Sequence, residues 1–98
     1  MSHSTEQELF SHIDRALRTV LNVNDRPIVP SMTLVGNLGA ESIDFLDISC
    51  EIEKEFNVEV DFRKLFKDRQ TATGTAAPDI TVQDLMEYVR GLRSNAPA

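Results

Sequence analysis

Apolar positions recur at helical spacing along most of this chain. Leu9, Ile13, Leu17, Val20 and Leu21 form the first stripe. Thr5 and Glu8 stand before it as a Thr-x-x-Glu capping pair, which predicts a helix from about Glu6 to Val23 with Asn22 and Asn24 as terminators. Phe45, Ile48, Ser49, Ile52 and Phe56 form a second stripe, and Ile43, Leu46 and Cys50 an adjacent one. Together they predict a helix from Ser42 to Phe56 with a wide apolar face, ended by Asn57. Val82, Leu85, Met86, Val89 and Leu92 mark the last helix, started by the capping pair Thr81 and Asp84. Between these lies a short helix predicted from Asp61 to Lys67, capped by Asp61, with Leu65 and Phe66 turned inward. Val58-Glu59-Val60 alternates like a strand but is too short to make a sheet.

The segments between the stripes differ in kind. Asp25 to Glu41 contains Pro27, Pro30, Gly36 and Gly39, which exclude a continuous helix. It also contains Ile28, Val29, Met32, Leu34, Val35 and Leu38, so it is expected to pack over the core. Asp68 to Asp79 is small and polar and reads as a mobile surface loop. The expected fold class is all-α, a small four-helix bundle of three longer helices and one short third helix. It occupies residues 1–98 as a single domain, with flexible ends at about 1–4 and 94–98.

Composition narrows the function classes. The chain has 98 residues and a net charge of −6. Eight acids and one base, Lys54, fall between Glu41 and Asp61, so the acidity belongs to one element. Such a patch repels nucleic acid and anionic membrane and steers basic protein surfaces. No apolar run approaches the ~20 residues needed to span a bilayer, so stable membrane insertion is not expected. The single Cys50 cannot close an internal disulfide and is expected to be a buried small hydrophobe in a reducing compartment. With no secretory signal evident, a cytoplasmic monomer is the expectation.

Ser42 is the residue that invites chemistry. A glycine-bearing loop delivers it to the start of the acidic helix. It can be a simple helix cap, although Phe45, three residues on, cannot complete a capping box. A nucleophilic serine needs an oriented base. The only imidazoles are His3 and His12, both expected to be solvated surface histidines, and no Gly-x-Ser-x-Gly elbow or metal-ligand cluster is present. A hydroxyl presented for another enzyme to modify fits better.

Leu38-Gly39-Ala40-Glu41-Ser42-Ile43 resembles the prosthetic-group attachment motif of acyl carrier proteins. The resemblance extends through Ser42-Ile43-Asp44-Phe45-Leu46-Asp47-Ile48 and Ile52-Glu53-Lys54-Glu55-Phe56. It continues in Asn57-Val58-Glu59-Val60 and Ile80-Thr81-Val82-Gln83-Asp84-Leu85. Glu41 replaces the family's usual Asp, Ile43 its usual Leu, and the Asp68–Asp79 loop is longer than the family's usual link. Ser-x-Asp-Phe-Leu-Asp-Ile followed by Lys-Glu-Phe also resembles specialised carriers of very long acyl chains in lipid A assembly.

The resemblance implies a carrier, not an enzyme, serving fatty-acid or lipid biosynthesis. Ser42 would hold 4′-phosphopantetheine, attached by a phosphopantetheinyl transferase, with an acyl group as a thioester on the arm. Glu41, Ile43, Asp44, Asp47 and Glu51 would recognise acyl-loading and acyltransferase enzymes through basic docking patches. Phe45, Leu46, Cys50, Ile52, Leu65 and Phe66 would line an acyl-chain pocket. The alternative, from another class, is a small acidic helical adaptor that binds protein partners without modification.

Overall fold

The structure, a computed structural model, describes residues 5–74 and 79–95. Four helices follow in chain order: α1 (Thr5–Leu21), α2 (Ser42–Phe56), α3 (Phe62–Thr73) and α4 (Val82–Asn95). The all-α bundle expected from periodicity is present. Leu9, Ile13 and Leu17 of α1, Ile48 and Ile52 of α2, and Val82, Leu85 and Val89 of α4 are almost fully buried in one apolar core. These are the stripe positions, because residues three and four apart share a helix face.

The helix ends follow local chemistry. Asn22 and Asn57 adopt left-handed conformations with φ of 58° and 57°. The Asn57 N–H closes α2 on the Glu53 carbonyl at 2.8 Å. Thr81 and Asp84 form a reciprocal box: Asp84 N–H donates to Thr81 Oγ1 and Thr81 N–H to Asp84 Oδ2, each at 3.0 Å. The predicted Thr5 cap and the extreme ends, 1–4 and 96–98, fall outside the residues or side chains described, whereas Ser94 and Asn95 belong to α4.

The third helix is a correction. It does not stop at Lys67 but runs to Thr73, with Gly74 in a left-handed cap. Asp61 caps it as expected, accepting from Lys64 N–H at 3.1 Å. Lys64 then pairs with Asp68 one turn on at 3.2 Å, and Arg69 Nε lies 3.6 Å from Asp84 Oδ2 of α4. Threonine lowers helix propensity only modestly, and the glycine supplies the stop. The predicted loop is therefore shortened to the residues after Thr73, of which 75–78 lie outside the description.

The α1–α2 connection packs over the core as its apolar content predicts. Ile28, Leu34, Leu38 and Ala40 are buried. Its backbone is zipped to the entry of α4 by Leu34 N–H to Ile80 O, Val82 N–H to Met32 O and Gln83 N–H to Pro30 O, each at 2.9 Å. Thr33 and Thr81 form one isolated antiparallel bridge.

Candidate functional site

The segment before Ser42 is fixed by a knot around Asp79. Its carboxylate accepts N–H bonds from Gly36 at 2.8 Å, Ile80 at 2.9 Å and Val35 at 3.1 Å. Burial pushes this carboxyl up, but the backbone bonds and one from Thr33 outweigh it and hold it below its ordinary value. Gly36 is required here: a Cβ would lie 2.9 Å from Thr33 Oγ1 and 3.2 Å from Asp79 Oδ2. Gly39, with φ of +75°, turns the chain into α2. Ala40 N–H bonds Leu34 O at 2.9 Å, setting the height at which the helix begins. Asp79 drew no attention in the sequence because Val35 and Gly36, which it ties down, lie more than forty residues away and bond through their backbone.

Ser42 is the first residue of α2, not its cap. Glu41 holds the cap position, and Asp44 reaches back so that its Oδ2 accepts from Glu41 N–H at 2.9 Å. The Ser42 side chain is exposed and has no hydrogen-bond partner among the described residues. The N–H groups of Ser42 and Ile43 also lack acceptors there, as the first turn of a helix must. They and the positive end of the helix dipole favour an anion bonded at this hydroxyl. A phosphodiester on Ser42 therefore fits the residues present.

The second apolar stripe of α2 faces water, which corrects the expectation that Cys50 is buried. Ile43 and Leu46 are each 69% exposed and Cys50 is exposed rather than buried. They sit beside Asp47, also exposed, and Glu51, which pairs with Lys54 at 3.2 Å. Helical spacing alone cannot say which of two adjacent apolar stripes the core takes. Ile48 and Ile52 took it here.

An open cleft of about 1150 Å³ starts at Ser42 and runs between α2 and α3. Phe45, Leu46, Cys50 and Phe66 line it, as does Phe62. The Phe45 ring packs against Phe62 at 4.9 Å and Phe66 at 5.1 Å. Ile52 and Leu65, also expected in the pocket, are buried in the core and do not reach this cleft. Tyr88 of α4 forms part of its floor, and its Oη accepts from Asp61 N–H at 3.1 Å. Tyr88 was invisible to the sequence reading because it flanks the α4 stripe.

Neither histidine serves Ser42 as a base in what is described. His3 lies outside the described residues. His12 is half-buried rather than solvated: its ring meets Phe56 edge-on at 5.3 Å and Nδ1 lies 3.2 Å from Glu55 Oε2. Both partners sit at the far end of α2, some twenty ångströms along the helix from Ser42 at ~1.5 Å per residue. Among the described residues no cluster of His, Cys, Asp or Glu could hold a metal ion. No described helix is long and apolar enough to cross a membrane.

Comparison with known proteins gives this geometry its context. The family model described as "Phosphopantetheine attachment site" matches residues 11–89. The chain is 31% identical over 86 residues to the acyl carrier protein of Thermotoga maritima, covering 88% of this chain and 93% of that protein. It is 33% identical over 81 residues to the acyl carrier protein of Helicobacter pylori, covering 83% and 90%. It is 26% identical over 83 residues to that of Karelsulcia muelleri, covering 85% and 87%. An exposed, unpartnered serine on a fixed helix start, in a chain matched along most of its length, leads to one conclusion: the chain belongs to the acyl carrier protein family and is a carrier with a covalent 4′-phosphopantetheine rather than an enzyme.

Proposed function

We propose that Ser42 bears the 4′-phosphopantetheine arm and that α2 presents it, in one carrier domain, to enzymes of fatty-acid or lipid biosynthesis. The observation that carries this reading is the placement of Ser42. Its hydroxyl is exposed and unpartnered at a helix start whose first N–H groups are also free. The bound arm supplies a thiol that holds an acyl group as a thioester. The chain's own residues do the rest: the Asp79 knot holds the attachment point, and the α2 N-terminus offers N–H groups to the phosphate.

The outer face of α2 suits partners with a basic patch around an apolar centre. Asp47 and Glu51 provide the charge, with Glu41 and Asp44 at the rim, while Ile43 and Leu46 provide apolar area otherwise left in water. Exposed ion pairs add little affinity, on the order of 0–1 kcal/mol each, but they speed encounter and permit release. This suits a cytoplasmic monomer visited by a phosphopantetheinyl transferase and several acyl-handling enzymes. The aromatic wall of the cleft suits a bulky chain, including the very long chains of lipid A assembly.

Intact mass after incubation with a phosphopantetheinyl transferase and coenzyme A tests the attachment. One arm should be gained by the natural chain and none by Ser42→Ala. A gain that survives Ser42→Ala moves the site elsewhere.

A further inference from the structure

We propose that Asp79 is a positioning residue for attachment of the arm: it sets where the Ser42 hydroxyl stands relative to the docking face of α2, so that its loss slows the transfer step and spares docking. The inference rests on the carrier reading of Ser42. Between Gly36 and α2, each backbone N–H from Asn37 to Ala40 bonds back to residues 33–35. Asn37 and Leu38 donate to Thr33 O at 3.2 and 3.1 Å, Gly39 to Val35 O at 3.0 Å and Ala40 to Leu34 O at 2.9 Å. The approach to Ser42 therefore hangs from that short stretch. Asp79 ties the stretch to the entry of α4. Its Oδ1 accepts from Val35 N–H at 3.1 Å and from Ile80 N–H at 2.9 Å, and its Oδ2 accepts from Gly36 N–H at 2.8 Å.

The docking face is seated by other means. The first fully buried residue of α2 is Ile48, and Ile52 follows it into the core. These two hold the part of the helix that presents Asp47 and Glu51. Ser42 stands a turn and a half earlier, in the first turn, where helix N–H groups have no partners within the helix. The start of α2 is thus placed by the connection, and its middle by the core. Opening the knot frees the hydroxyl to wander while the docking residues stay in register. Transfer is steep in such alignment, since a misplacement of ~1 Å can cost ~100-fold in rate. Asp79 acts through the backbone of Val35 and Gly36 and bonds no residue of α2.

The test follows arm transfer to the apo chain by intact mass, with a phosphopantetheinyl transferase and coenzyme A, well below the thermal midpoint of every variant. Asp79→Ala and Asp79→Asn should lower kcat about tenfold and leave KM for the carrier within about twofold. Asn keeps one acceptor oxygen but turns an amide donor toward one of the N–H groups. Gly36→Ala attacks the knot from its other side, because the new Cβ would lie 3.2 Å from Asp79 Oδ2, and should lower kcat in the same way. Asp47→Lys combined with Glu51→Lys should do the reverse, raising KM and sparing kcat. Val89→Ala opens a cavity in the α4 core away from the connection and should leave both constants unchanged, although it destabilises the fold. The inference is overturned if kcat is unchanged in the Asp79 variants, if KM alone rises in them, or if Val89→Ala lowers kcat as much. A natural chain that never gains the arm fails the carrier reading, while full kcat in the Asp79 variants fails only this one.

Discussion

The connection before α2 and the wall formed by α3 both border Ser42, yet they are held by different means. The connection is tied by backbone bonds to the entry of α4 and by its Val35 and Gly36 N–H groups, which meet Asp79. The α3 wall is held mainly by side chains. Phe62 and Phe66 meet Phe45, Tyr88 accepts from Asp61 N–H, and Arg69 reaches Asp84. Backbone bonds fix distances between chain segments, whereas ring contacts tolerate sliding at little cost per atom. Under the proposed function, Ser42 thus stands on the side of its cleft that backbone bonds hold, and the cargo would meet the side that side chains hold.

The largest expected effect comes from breaking the rigid side. Asp79→Ala leaves three backbone N–H groups without their acceptor and should cost about 2–3 kcal/mol in urea unfolding. The sign with pH follows from the lowered carboxyl. Its contribution is complete above the unfolded value of 3.8 and is lost as pH falls through the lower folded value. The stability gap between the natural chain and Asp79→Asn should therefore be flat near neutrality and close in acid. A gap that stays constant into acid would mean the charge is not what holds the knot.

A smaller effect separates docking from folding on α2. Reversing charge at Asp47 and Glu51 should leave stability within about 0.5 kcal/mol, since both lie on the outer face. It should slow transfer by loading enzymes, and raised salt should mimic it. Asp44 behaves differently, because its carboxylate also caps Glu41 N–H. Asp44→Lys should cost about 1 kcal/mol besides any docking loss. Equal stability for Asp44→Lys and Asp47→Lys would show that the cap contributes nothing.

The smallest stability effect belongs to the outward apolar stripe. Ile43→Ser and Leu46→Ser should be near neutral for folding, within about 0.5 kcal/mol, because each side chain is 69% exposed. Both should nonetheless weaken transfer. A loss of several kcal/mol in folding would mean these side chains belong to the core.

Much of this architecture was legible in the chain. The stripes of α1 and α4, the start of α2 at Ser42 and its end at Asn57 follow from spacing and caps, which are local signals. What escaped depends on contacts that sequence spacing cannot carry. The length of α3 was hidden because Thr71, Ala72 and Thr73 resemble a loop, while the pairing that supports the helix sits on Lys64, Asp68 and Arg69. Leu46 and Cys50 were assigned inward because two neighbouring stripes on α2 were equally apolar. Asp79 and Tyr88 act through distant backbone N–H groups, for which no side-chain motif exists. The position of Ser42 at the start of α2 was readable because its glycine-bearing approach and acidic helix are contiguous.

Native-state amide hydrogen exchange on the apo, holo and acyl-loaded chain tests the contrast between frame and wall most directly. The account predicts slow exchange at Leu34 and Val82, whose N–H groups form the zipper, at Ala40, whose N–H bonds Leu34 O, and through Phe45 to Phe56. It predicts faster exchange from Phe62 to Thr73, where opening breaks fewer backbone ties, with the largest change on acylation at Leu65 and Phe66. Uniformly slow exchange along α3 in all three forms, or faster exchange in the zipper than in α3, would contradict it.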